Sequence, residues 1–137
     1  MRKHLLLLAL LASCGRPINY DVFTEYTPVN SDKIGQRVFN DNGLDYALYT
    51  ITFYYGGHEA MDANCAEGVG VPIGCDYPEY GEILILDDLK HECHIIAHEL
   101  IHQALFYTTG SPDAEHKNPQ FKNAQNTCIE AVGIEAS

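Results

Sequence analysis

Apolar positions in this chain switch between a period near 3.6 and a period of two. Residues 87–107 contain no Gly or Pro, and Cys93, Ala97, Leu100, Ala104 and Tyr107 recur at helical spacing. Asp87 and Asp88 place acidic charge at the expected start, and Gly110 is a stop signal just past the end. Ser31–Phe39 reads as a shorter helix with a polar start, ending near Asn42-Gly43. Across Asp45–Tyr55, Ala47, Tyr49, Ile51, Phe53 and Tyr55 alternate with Thr50 and Thr52, which predicts a strand. Glu82–Leu86 predicts a short strand directly before the long helix, Val69–Ile73 a brief one, and residues 119–131 a final helix. Helices and strands in this mixture, without repeats, predict one small α+β domain.

The long helix carries His98-Glu99-Leu100-Ile101-His102, an HExxH motif. Residues four apart on a helix project about 40° from each other, so both imidazoles can reach one Zn²⁺ at roughly 2.0–2.1 Å. Glu99 stands beside that stripe, about 100° from His98, offset from the metal but placed to deprotonate a zinc-bound water. His91 and His94 fall on the same helical face, where they are read as a polar cleft wall rather than as a second metal site.

A catalytic zinc usually has three protein ligands. The metzincin pattern would require Gly at 105 and His at 108, where this chain has Leu105 and Thr108. Gly110 and Pro112 mark a turn that can fold the chain back, and Asp113, Glu115 and His116 follow it. Any of the three could reach the metal. The run His98-Glu-Leu-Ile-His102-Gln-Ala-Leu-Phe-Tyr, a loop, then His116 with Pro119 and Phe121 resembles the SprT-like (Spartan-type) zinc metalloproteases across residues 95–122. The resemblance implies a zincin-like fold, a short sheet packed on the HExxH helix and a C-terminal helix, and it implies His116 as third ligand. The chain departs from that family in lacking a Gly beside the third His, where Glu115 and Lys117 stand, and in a segment to Phe121 one residue longer. Asp113, in the manner of an aspzincin, and Glu115 therefore stay open as alternatives. A zincin also runs a strand along its cleft, a role expected here of Glu82–Leu86, whose free edge would pair with an extended substrate.

Met1-Arg-Lys-His followed by apolar Leu5–Ala12 and Leu11-Ala-Ser-Cys14-Gly15 resembles a bacterial lipoprotein signal, too short to span a membrane. This implies residues 1–13 as a cleaved signal peptide, lipid on Cys14, residues 14–29 as a tether and residues 30–137 as the zincin-like domain. It places the protein outside the cytoplasm, anchored to the cell envelope, on the periplasmic face of the outer membrane in a Gram-negative cell. Four cysteines then remain, which in an exported chain usually form two disulfides out of three possible pairings. The expected pairs are Cys65–Cys75, closing a Gly-rich loop, and Cys93–Cys128, tying the zinc helix to the last helix.

Charge narrows the partners. The chain has 8 basic and 19 acidic residues, a net −11. Loss of Arg2 and Lys3 with the signal leaves 6 against 19, a net −13. Binding phosphates needs clustered Lys and Arg, so nucleic acid is an unsuitable partner. The expected activity is a zinc metallopeptidase acting on protein or peptide substrates, with Glu99 as general base. The competing expectations are a non-catalytic zinc-binding lipoprotein serving as adaptor or inhibitor, and a zinc amidase acting on peptidoglycan. Of the nine tyrosines, Tyr77, Tyr80 and Tyr107 are candidates to donate to the oxyanion.

Overall fold

A computed structural model of the chain describes residues 19–65 and 72–133. It is a small α+β domain whose four-stranded mixed sheet has the order β1-β2-β4-β3. The strands are β1 (Thr24–Tyr26), β2 (Thr52–Gly56), β3 (Gly74–Tyr77) and β4 (Glu82–Leu86), and the helices α1 (Ser31–Asp41), α2 (His58–Asn64), α3 (Cys93–Thr109) and α4 (Ala124–Val132). β2 runs parallel to β4; the β1–β2 and β3–β4 pairs are antiparallel. The signal segment and Cys14 lie outside the described residues, as do positions 69–71 of the brief strand expected at Val69–Ile73.

β4 is the spine. All five of its residues are buried. Ile83 and Ile85 join Phe53, Val38, Ile96 and Leu100 in the larger core, under α1, α3 and α4. Leu84 and Leu86 point the other way, onto Phe23 and Met61 near α2. Each such side chain taken from water contributes roughly 1.5–3 kcal/mol. A strand covered on both faces reads as an unbroken apolar run, as Ile83–Leu86 does.

That placement corrects the expectation of a free edge at Glu82–Leu86. β4 has β2 on one side and β3 on the other, so its backbone is already paired. β3 is the edge strand at that end of the sheet among the described residues. A disulfide joins Cys75 in β3 to Cys65 at the end of α2, with Cα atoms 5.7 Å apart. A second joins Cys93, the first residue of α3, to Cys128 in α4, with Cα atoms 5.8 Å apart. Both pairs are those expected from the sequence.

Other boundaries differ. The strand expected over Asp45–Tyr55 is confined to β2; Tyr46–Leu48 form a 3-10 turn in which Asp45 accepts a hydrogen bond from Ala47 N–H. Tyr46 and Tyr49 leave the strand pattern to set their rings edge-on against Phe39 of α1. Residues 24–26 of the segment read as a tether form β1, in register with β2 through Thr24–Tyr55 and Tyr26–Phe53. The long helix begins at Cys93, preceded by a 3-10 turn over Asp87–Leu89, and ends at Gly110, whose φ of 82° suits a residue without Cβ. The last helix is split into a 3-10 segment, Pro119–Asn123, and α4.

Candidate metal centre

α3 is buried around most of its circumference, so its rotation is set by packing against the sheet, α1 and α4. That rotation turns His98 and His102 toward a cleft of about 640 Å³, whose walls include Gly74 and Asp76 of β3, Ala114, His116 and Phe121. The loop after Gly110 folds back over the helix and delivers His116. Its Nε2 lies 3.1 Å from His98 Nε2 and 3.1 Å from His102 Nε2. Ligand nitrogens on a tetrahedral zinc stand about 3.3 Å apart, by the geometry of bonds near 2.05 Å.

Hydrogen bonding fixes the direction of these donors. His102 Nδ1–H donates to Pro112 O at 2.6 Å, in the tautomer that leaves its Nε2 a bare acceptor toward the cluster. One shared Nε2 proton on His116 can satisfy only one of its two neighbours. A cation satisfies all three at once, so the donor set fits a metal such as zinc. Phe121 packs its ring against all three imidazoles, with centroids 4.5–5.0 Å away. Burial lowers the pKa of His98 to about 4, helped by the neighbouring His102, His116 and His94, and burial also lowers that of His102 against the opposing Pro112 hydrogen bond. Both are therefore neutral at pH 7, the state a ligand imidazole needs.

The loop bears the cost of this convergence. Asp113 and His116 both adopt left-handed backbone, with φ of 58°. Asp and His tolerate that region better than most residues, but it is still uncommon. The turn closes through His116 N–H to Asp113 O at 2.9 Å, and Asp113 Oδ2 accepts from Asn118 N–H at 2.7 Å. That bond also holds the Asp113 carboxyl below its ordinary pKa. Of the alternatives open after Pro112, Asp113 thus organises the loop, and Glu115 pairs with Lys117 at the surface, 2.7 Å away. His116 is the one that reaches the two helical histidines.

Glu99 is 5% exposed and faces the same cleft. A Cβ on Gly74 would stand 2.8 Å from Glu99 Oε2, so the bare backbone of β3 makes the room its carboxylate occupies. Asp76, two residues along β3, is the partner sequence reasoning missed. One oxygen of Asp76, one of Glu99 and a ring nitrogen of His102 lie within 4.8 Å of one another. Gln103, fully buried on α3, points its Nε2 at Asp76 Oδ2 (3.4 Å) and at Glu82 O (3.1 Å). Burial, with Glu79 nearby, raises the Asp76 pKa to about 7; burial and then the Asp76 charge push Glu99 well up. No motif marks Asp76. The only available signal was the brief strand, and it was expected a few residues too early.

Other candidates lie elsewhere. His91 precedes α3 and so leaves its ligand face: its Nδ1 accepts from Val29 N–H at 3.1 Å and its ring meets Tyr26 edge-on. His94 lines the cleft, half exposed, 3.9 Å from Glu92. Tyr107 donates to Pro78 O at 3.2 Å, Tyr77 to Asn64 O, and neither they nor Tyr80 border the cleft. Comparison with protein-family models, with curated proteins and with solved structures finds no match for this chain.

Proposed function

We propose that this chain is a zinc-dependent hydrolase of peptide bonds, with His98, His102 and His116 as ligands and Glu99 as general base. The observation that carries this is the convergence of three imidazole Nε2 atoms beside a buried, cleft-facing carboxylate. Zinc held there would supply a Lewis acid for the scissile carbonyl and acidify a water molecule. Glu99 takes the proton from that water and passes it to the departing amine. Its burial favours the protonated form, and a cation held by the histidines would oppose that. The outer edge of β3 offers backbone groups along the cleft, where an extended peptide can add as a further strand. This supports peptide over peptidoglycan amide as substrate.

The kinship with SprT-like enzymes and the lipid-anchored, exported location belong to the same proposal. The two disulfides support an oxidising compartment. No helix among the described residues is long and apolar enough to cross a membrane.

The test is Glu99→Gln. The variant should keep close to one zinc per chain and lose about 10²–10⁴-fold in hydrolysis of a peptide library. Full hydrolysis without Glu99 would remove the mechanism. A wild-type chain that binds zinc and cleaves nothing would favour the adaptor reading.

A further inference from the structure

The carboxylates beside the histidines form a second cluster of metal-binding atoms, and the hydrolase reading uses only one of its members. Asp76, Glu99 and His102 each bring one such atom within 4.8 Å of the others. His102 cannot serve fully in both clusters. Its Nδ1 is held by Pro112 O and its Nε2 faces His116. With an ion on the three histidines, the two carboxylates are what remain.

Those carboxylates lack a cation. Among the described residues, no Lys, Arg or His forms an ion pair with Asp76 or Glu99. Among the described residues, the only side chain that hydrogen-bonds Asp76 is the neutral Gln103 amide, at 3.4 Å. Glu99 is 95% buried (5% exposed), yet its carboxylate accepts no hydrogen bond among the described residues and is aimed into the cleft. Buried carboxylates in that condition are costly unless a proton or a cation joins them. Space is present as well, because both residues line the cleft of about 640 Å³. Two carboxylates at the wall of a cleft suit a divalent cation that completes its shell with water.

We propose that Asp76 and Glu99 take a second divalent cation, more weakly than the three histidines take the first, and that its binding switches the centre off. A cation bound to the Glu99 carboxylate opposes its protonation by charge and occupies the face turned to the cleft, so hydrolysis stops while the first ion stays in place. The binding half stands on geometry alone. The inhibitory half rests on the hydrolase reading.

The experiment counts zinc on the full chain by native mass spectrometry in chelator-buffered zinc, and follows peptide hydrolysis in the same buffers. The wild type should load one ion, then a second at higher free zinc. Asp76→Asn and Glu99→Gln should each weaken the second step at least about tenfold and leave the first unchanged. His116→Ala should weaken the first. Wild-type hydrolysis should rise with the first ion and fall with the second; Asp76→Asn, measured against its own one-ion rate, should not fall over that range. A wild type that stops at one ion up to millimolar free zinc overturns the site. So does a second ion that Asp76→Asn binds equally well, since it would then sit elsewhere. A second ion that loads through Asp76 without loss of hydrolysis overturns the inhibitory half. Two-step loading with no hydrolysis at any occupancy supports the site and removes the hydrolase reading instead.

Discussion

The imidazole side and the carboxylate side of the cleft answer burial in opposite ways. On the imidazole side, loss of water lowers the pKa values of His98 and His102, and the resulting neutral rings are the form that binds metal. On the carboxylate side the same loss of water raises those of Asp76 and Glu99, which favours the proton over the free carboxylate a base needs. One dry environment therefore favours neutral imidazoles and disfavours ionised carboxylates. Under the proposed function, a cation at the histidines would oppose the second effect without harming the first, so that metal binds first and Glu99 acts as a base afterwards.

The largest expected effects lie on the imidazole side. His102→Ala removes a proposed ligand that is also anchored on Pro112 O, and should abolish tight zinc binding, read by competition with a chromophoric chelator. His116→Ala removes a proposed ligand on an exposed loop and should weaken zinc by about 10–100-fold or more. If His116→Ala keeps wild-type affinity, the loop does not belong to the imidazole side.

On the carboxylate side, Gly74→Ala should leave zinc affinity within about twofold. Its new methyl must displace the Glu99 carboxylate, and the turnover rate should drop about tenfold, as small misplacements of a reacting group do. Equal losses of metal and rate would show that the two sides are not separable.

The third way to sharpen the contrast is pH. The folded-state pKa of Asp76, about 7, lies above its ordinary value, so its contribution to the stability of the metal-free chain is full below about pH 4 and is lost as pH rises through 7. His98 runs the other way: its contribution is full above its ordinary 6.5 and is lost as pH falls through about 4. Asp76→Asn should therefore stabilise the metal-free chain by on the order of 1–3 kcal/mol at pH 8 and hardly at all at pH 4, measured by urea unfolding. An equal gain at both pH values would mean that the carboxylate is not ionising in the folded protein.

Asp113→Ala should have the smallest effect. It removes the acceptor for Asn118 N–H and loosens the turn that presents His116, so zinc affinity should fall only severalfold. A loss as large as that of His116→Ala would make Asp113 a ligand.

Much of the imidazole side was legible in the chain because its information is local. Four residues along a helix put His98 and His102 on one face whatever surrounds them, Cys65–Cys75 followed from the Gly-rich loop between them, and Cys93–Cys128 from their places in two predicted helices. The Ile83–Leu86 run was legible as a strand for the same reason, but its position in the sheet was not. A four-residue apolar run looks alike at an edge or in the centre until its neighbours are known, and here β3 takes the edge among the described residues. The strand expected over Asp45–Tyr55 shrank because Phe39, on the preceding helix, drew Tyr46 and Tyr49 away. Residues 110–118 offered three possible ligands on the residues alone. Left-handed turns at Asp113 and His116, with Asp113 engaged to Asn118, brought His116 to the cluster. Asp76 and Gly74 carry no motif at all: they face Glu99 only because β3 pairs with β4 and lies across α3. Spacing along a helix is set by covalent geometry, and a sequence carries it outright. Which strand, loop or carboxylate comes to face that helix depends on packing between distant segments, and only the tertiary structure decides it.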